Sequence, residues 1–323
     1  MSAIIFKDNS VTLADYSYNA IAKQVKKILK YEKKILIEED PENLHQLRVA
    51  MRRLRSILSV FNSALKIPSI INDTNISNIA RFLGQQRDLD ILKINLEDKF
   101  SQEILEIEHK FIQKIIADIS KPSSQDTKEI KLILSTKNYQ KLKQSLIKWL
   151  EKPEFKGIAN IKIKSLLSCL LLPQISNFCL QSGWLIGTKI NENQDIIVQE
   201  NLTDEEINLL INKQRKILHT LRKQAKKTRY QLELFIDFYP EEYKKYLYLV
   251  EQVQEILGNI QDNICLENHL TEKLGKTWLT KLPTLHYLIM KDQSIKWQEW
   301  QKLQEKFLDN NYRNQLTSLI IAI

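Results

Sequence analysis

The chain has 323 residues, with 48 Lys and Arg against 39 Asp and Glu, a formal charge of +9 and a pI near 9.2. Only 6 Gly and 7 Pro exclude a collagen-like or low-complexity chain and favour helix. Three cysteines without a C-x-x-C pair (Cys169, Cys179 and Cys265) exclude a disulfide scaffold and read as ordinary buried thiols in a reducing compartment.

A first helix is expected from about Tyr16 to Ile37, with Lys23, Lys27, Lys30 and Lys34 repeating along one face. Asp40-Pro41 then supplies an N-cap and a proline at the first helical position, so a second helix starts there and runs to about Lys66. Pro68 to Asn75 reads as a loop, and a third helix begins at Ile76, interrupted or closely packed at Gly84. The run Phe100 to Ile119 has helical spacing, Lys121-Pro-Ser-Ser ends a helix, and Tyr139 to Leu150 forms another, closed by Pro153 and Gly157. The breakers Pro153, Gly157, Pro173, Gly183 and Gly187 mark residues 152–200 as a connector with a helical segment. Thr203-Asp-Glu-Glu206 is a capping box that opens a long helix to about Phe238, where Pro240 stops it. Further helices follow, the first near Glu241 to Gly258. The longest apolar stretch, Leu166 to Leu172, falls far short of the ~18 residues of a membrane span, and the N-terminal apolar run is too short for a signal peptide. The expectation is a cytoplasmic protein.

Two of these helices carry the same motif. His45 to Arg55 reads H-Q-L-R-V-A-M-R-R-L-R, and His219 to Arg229, 174 residues later, reads H-T-L-R-K-Q-A-K-K-T-R. The same offset carries Phe61 onto Phe235, Leu83-Gly84 onto Leu257-Gly258, and Asp88 onto Asp262. A shared spacing across more than 40 residues indicates two copies of one unit. With His45 at zero on a helical wheel, Arg48, Arg52 and Arg55 fall at roughly 300°, 340° and 280°, with Arg53 on the flank. Leu47, Leu54, Leu58 and Phe61 take the opposite face. In the second copy His219, Arg222, Lys226 and Arg229 share one face, joined by Arg215, while Leu218, Leu221, Leu232 and Phe235 form the apolar side. A solvated helix face normally mixes signs to gain i,i+4 pairs, yet Leu44 to Phe61 holds no acidic residue. Such a stripe repels itself unless an anion sits on it. Asp88 and Asp262, each after an L-G pair, read as structural carboxylates that orient a motif arginine or cap a helix.

The motif H-x-x-R-V-x-x-R-R-x-R, followed by L-G-Q-Q-R-D-L-D from Leu83 to Asp90, resembles the CHAD (conserved histidine α-helical domain) family. The second half, with L-H-T-L-R-K-Q-A-K-K-T-R-Y and L-G-N-I-Q-D, is similar to that family's weaker second repeat, so the resemblance covers nearly the whole chain. It implies an all-α fold of two pseudo-symmetric antiparallel helical bundles, with a basic groove or pore between them. On this chain the bundles are expected over residues 8–151 and 201–323, flanking the 152–200 connector. It also implies binding of inorganic polyphosphate by His45, Arg48, Arg52, Arg53 and Arg55 and by His219, Arg222, Lys226, Lys227 and Arg229. Lys23, Lys27, Lys30, Lys34 and Arg215 are possible supporting cations. The copies depart from one another where Arg87 becomes Gln261 and Ser56 stands opposite Tyr230, so the second half is expected to contribute less to the ligand.

The chemistry suits the implied ligand. Arginine meets two phosphate oxygens with a planar fork, lysine adds point charge, and histidine becomes cationic near phosphate. Glu106-Ile-Glu108-His109-Lys110 resembles the E-x-E-x-K metal signature of the CYTH triphosphatases, but that signature needs both carboxylates on one face of a strand, and these lie on a helical pattern. Neither a P-loop nor a convincing metal cluster is present, and no cofactor is expected. The reading is therefore a non-catalytic polyphosphate binder, with docking on polyphosphate granules as the expectation that follows. A nucleic-acid or other polyanion binder is the alternative, disfavoured because no aromatics interleave the stripes. Polymer length, oligomeric state, protein partners, and inositol polyphosphate or a phosphoprotein as ligand stay open at this level.

Overall fold

The computed structural model describes residues 10–38, 40–120 and 124–322, except for the side chains of residues 41, 84–91, 120 and 124–128. The first half contains α1 (Leu13–Ile37), α2 (Pro41–Val60), β1 (Leu65–Lys66), α3 (Asp73–Ile94), α4 (Glu106–Ser120), α5 (Ser124–Ser135), α6 (Lys137–Glu151) and β2 (Glu154–Phe155). There follow α7 (Leu167–Cys179), β3 (Thr188–Ile190), β4 (Ile196–Val198), α8 (Asp204–Glu233), α9 (Glu241–Leu274), α10 (Trp278–Lys281), α11 (Pro283–Leu308) and α12 (Asn310–Ile321). The architecture is all-α, trimmed by two short antiparallel ribbons, β1–β2 and β3–β4.

Local chemistry explains where the helices start. Thr12 and Asp15 form a reciprocal capping box, with Asp15 N–H donating to Thr12 Oγ1 at 3.2 Å and Thr12 N–H to the Asp15 carboxylate at 3.1 Å. That box starts α1 three residues before Tyr16. Asp40 caps α2 through the Glu42 N–H at 2.9 Å, with Pro41 at the first position as expected. The Thr203/Glu206 box opens α8, at 3.2 and 2.9 Å. Asn72 Oδ1 accepts the Asn75 N–H at 2.8 Å and brings the start of α3 forward to Asp73.

Tertiary contacts decide where they end. The α2 helix stops at Val60, not Lys66, because Phe61 is fully buried and the following residues pair with β2, Leu65 opposite Phe155. Trp149 Nε1 donates to the Lys66 carbonyl at 2.8 Å and fixes that turn. The α3 helix passes Gly84 without a break, then relaxes into a π-helical turn over Asn95–Lys99 and a 3₁₀ turn over Ser101–Glu103. The α8 helix ends at Glu233, before the buried Phe235, and α9 continues through Gly258 to Leu274. Lys121, Pro122 and Ser123, expected to end a helix, lie outside the described residues.

One cluster of buried apolar residues runs from Val11 to Ile320 and draws on both halves of the chain. The apolar faces foreseen on the two motif helices are buried in it: Leu47, Leu54, Leu58 and Phe61, then Leu218, Leu221, Leu232 and Phe235. Phe61 and Phe235, equivalent under the 174-residue offset, pack edge to face with ring centroids 5.9 Å apart. Tyr16 touches both rings, and its hydroxyl donates to the Leu234 carbonyl. A second cluster joins Leu92 to Ile115 of the first half to Leu266 to Ile289 of the second.

Residues 152–200 are built into this core. Trp184 stacks on Trp300 at 4.9 Å, and the buried Gln304 amide donates to the carbonyls of Trp184 and Ile186 at 2.6 and 2.8 Å. Residues 163–185 pass for a membrane span by length and composition. The α-helix inside that stretch is only 13 residues, contains Pro173, and turns Leu167, Leu171, Ile175 and Phe178 into the core. At ~1.5 Å per residue it reaches about 20 Å, short of a hydrocarbon core. The cysteine reading needs correction: Cys169 and Cys265 are exposed and Cys179 is half-buried, although all three are free. Cys169 lies about 200° around its helix from Leu167, away from the face of Leu167, Leu171, Ile175 and Phe178 that packs into the core.

Candidate functional site

The two motif helices bring their polar faces together. Lys226 of α8 is half-buried, and the charges acting on its amine are those of Arg52, Arg222 and Arg48. Two of these come from α2 and one from α8. Burial first, then these three cations, push the Lys226 ammonium down from the usual lysine range to about 7, while Asp262 pulls the other way. Arg222 runs back over α9, with its guanidinium 3.7 Å from the Asp262 carboxylate. Its Cζ, Nε and Nη2 lie 3.5–4.0 Å from where a Cβ at Gly258 would sit. Gly258 therefore gives the guanidinium a flat bed on α9, and Asp262 orients it, as the sequence suggested for that carboxylate.

His219 is held one turn upstream. Its Nδ1 lies 3.0 Å from Gln261 Oε1. Burial depresses its pKa, Lys223 depresses it further, the Gln261 bond raises it, and Arg222 and Lys226 lower it again. The neutral imidazole is thus favoured within this cationic surround. His45, Arg48 and Arg52 line the equivalent face of α2, all half-buried. The α1 lysines join from the side: burial lowers Lys27, and the charges of Arg53, Lys23 and Lys30 add to it.

Other candidates are committed to carboxylates. Arg55 forms a two-pronged fork with Asp73, at 2.8 and 2.9 Å. Glu233 accepts from Arg53 of α2 at 3.0 Å and pairs with Arg229 of α8 at 3.2 Å, while Arg229 also reaches Glu251 at 2.6 Å. Tyr230 sits between those two guanidiniums, 5.6 Å from Arg53 and 5.1 Å from Arg229. Lys34 pairs loosely with Glu38 at 3.9 Å, and Lys227 and Arg215 are exposed. The structure thus draws together His219, Arg222 and Lys226 with Arg48 and Arg52, and engages Arg53, Arg55 and Arg229 in cross-links. Asp88 and Arg87 carry side chains outside the described residues.

The E-x-E-x-K decoy resolves structurally. Glu108 is 1% exposed and accepts the backbone N–H groups of Thr284 and Leu285, at 2.8 and 3.1 Å, in the first turn of α11. It caps that helix across 176 residues of sequence. Among the described residues no group of three or more His, Cys, Asp or Glu could hold a metal ion.

The family model of the CHAD domain matches residues 19–271. The chain belongs to the CHAD domain family. Among solved structures, this CHAD protein is similar to the CHAD domain from the plant Ricinus communis, at 19% identity and TM-score 0.55, over 98% of this chain and 94% of that one. It is also similar to PptA from Streptomyces chartreusis, at 12% identity and TM-score 0.59, over 95% of this chain and all of that one. At such identities the likeness is one of fold. No curated protein matches the chain at a significant level.

Sequence reasoning about this CHAD chain missed the acidic partners Asp73, Glu233 and Glu251 and the contribution of Lys223. The Arg229–Glu233 pair was visible as an i,i+4 spacing. The reach of Glu233 to Arg53, 180 residues away, had no local signal.

Proposed function

We propose that this CHAD protein binds inorganic polyphosphate, without turning it over, along the cationic faces of α2 and α8. The observation that carries the reading is the convergence of Arg48 and Arg52 with Arg222 around the half-buried Lys226. Like charges brought together at the cost of a depressed ammonium are tolerable where the usual occupant is a polyanion. Arg222, Lys226 and His219 with Arg48 and Arg52 form the grip, His45 extends it along α2, and Lys23, Lys27 and Lys30 flank it. Arg53, Arg55 and Arg229 position the two helices through their carboxylates. The packing of Phe61 on Phe235 supports two pseudo-symmetric bundles meeting at those rings, with the basic groove alongside. In this reading the protein works in the cytoplasm, at polyphosphate granules.

A nucleic-acid binder would need rings to stack on bases. Tyr230, which directly follows the second basic run, is 8% exposed and flanked by two guanidiniums, which favours a ligand without bases. The test is a titration with long-chain polyphosphate and with single-stranded RNA of matched charge, at the same near-physiological salt. Tighter polyphosphate binding that is lost in Arg48→Glu/Arg52→Glu, with helix content unchanged, is the expected result. Equal affinity for both polymers would reduce the site to a general polyanion surface.

A further inference from the structure

We propose that the β3–β4 ribbon is a docking edge for an extended, lysine- or arginine-rich segment of a partner protein, which adds to β3 as a third strand. The inference is independent of which anion the groove takes, because no residue of the grip belongs to the ribbon.

The ribbon leaves one edge open. Its register pairs Thr188 with Val198, Lys189 with Ile197 and Ile190 with Ile196. The Gln199 N–H donates to the Gly187 carbonyl at 2.8 Å, and the Asn191 N–H to the Asp195 carbonyl at 3.0 Å. Hydrogen-bonded pairs alternate along an antiparallel ladder, so the N–H and C=O groups of Thr188 and Ile190 point away from β4. On its other side the ribbon is occupied: β4 lies against α11, and Gln301 Nε2 of that helix donates to the Gln199 carbonyl at 2.7 Å. Among the described residues no further strand flanks β3.

The side chains on this edge are apolar and uncovered. Ile190 and Ile196 face each other in a non-hydrogen-bonded pair, where side chains come closest, yet they are 73% and 43% exposed. Val198, two residues along the same face, is buried, so the apolar face continues past the body of the protein. Lys189 stands on the opposite face with Ile197. An extended segment laid along β3 would pair with the outward backbone groups and cover Ile190 with its own alternate side chains.

Charge selects the occupant. Residues 190–212 hold six carboxylates (Glu192, Asp195, Glu200, Asp204, Glu205 and Glu206) and no Lys, Arg or His, in a chain of net charge +9. Glu192 and Asp195 are exposed at the tip of the ribbon itself. Pairing β3 with β3 of a second copy would set two acidic segments side by side, which repulsion opposes, whereas a basic segment is attracted.

The test uses the full-length protein without polyphosphate and three dye-labelled peptides. One has valine and threonine alternating between lysine pairs, the second has glutamates for the lysines, and the third is the lysine peptide N-methylated at every valine and threonine. The lysine peptide should bind at sub-millimolar concentration, and the other two at least about tenfold more weakly. Hydrogen exchange at the Thr188 and Ile190 amides should slow in the complex. Ile190→Lys should weaken the lysine peptide by a similar factor with melting temperature unchanged. Failure of the lysine peptide to bind would overturn the proposal, as would unchanged exchange at those two amides. Equal binding of the glutamate peptide would overturn the basic partner, and equal binding of the methylated one would overturn strand addition. Concentration-dependent dimerisation that Ile190→Lys abolishes would assign the edge to a second copy instead.

Discussion

Gly258 shows how a single missing side chain makes room for a guanidinium. The guanidinium of Arg222 rests at ordinary contact distance from the place a methyl group would take, 3.5 Å at the nearest atom. Gly258→Ala should therefore leave the arginine in place, and removing a mid-helix glycine should stabilise the fold by about 0.5–1 kcal/mol. Gly258→Leu should push the guanidinium off its bed and weaken polyphosphate binding several-fold, which thermal melts and titrations of the two variants would separate. The sequence marked this glycine as a close approach, but nothing near it named Arg222, 36 residues upstream, as the group approaching. Glu108 is the opposite case, a residue with a suggestive motif and a structural task. Glu108→Ala leaves two buried N–H groups of α11 unsatisfied and should cost on the order of 1–3 kcal/mol in chemical denaturation, with polyphosphate affinity unchanged.

At the scale of elements, α2 and α8 meet through an apolar edge and a cationic face that oppose each other energetically. Phe235 is fully buried against Phe61 and Tyr16, so Phe235→Ala should destabilise the protein by about 3–5 kcal/mol in urea titration. The cationic face acts through protons. In the folded, ligand-free protein Lys226 holds its proton only up to about pH 7, whereas the unfolded chain holds it to the ordinary lysine value. Between those two values the unfolded state binds more protons, so this group makes the fold more stable as pH rises from 7 towards 10. Melting temperature without ligand should rise over that window in wild type, and rise less in Lys226→Met. Binding has the reverse sign. A phosphate polymer raises the pKa of Lys226 and of the depressed His219, so binding takes up protons and affinity should increase as pH falls from about 9 to 6. Titrations in buffers of different ionisation enthalpy would detect the uptake.

Across the whole molecule, legibility followed the range of the forces involved. The starts of α2 and α8 were readable because Asp40, Pro41 and the Thr203/Glu206 box act on their own first turns. The end of α2 was not, since β2, some 90 residues on, draws Leu65 and Lys66 into extended pairing. The π-helical turn after α3 had no local signal either. The same divide runs through the site. A stretch from Leu44 to Phe61 without a carboxylate pointed to a cationic helix face, and its second copy pointed to the partner helix. That Arg55, Arg53 and Arg229 pair with Asp73, Glu233 and Glu251 depends on side chains brought in by folding.

The seating of residues 92–115 among residues 266–289, pinned by Glu108 on α11, has a practical consequence for a severed chain. The exposed tip between β3 and β4, where Gln194 takes a positive φ of 63°, is the kind of loop a protease cuts first. Each fragment would then carry part of the other's interior, so neither piece could leave without exposing it. A singly nicked sample should elute from a sizing column as one intact particle and separate into two only in denaturant. Fragments expressed from separate genes should likewise find each other and reassemble.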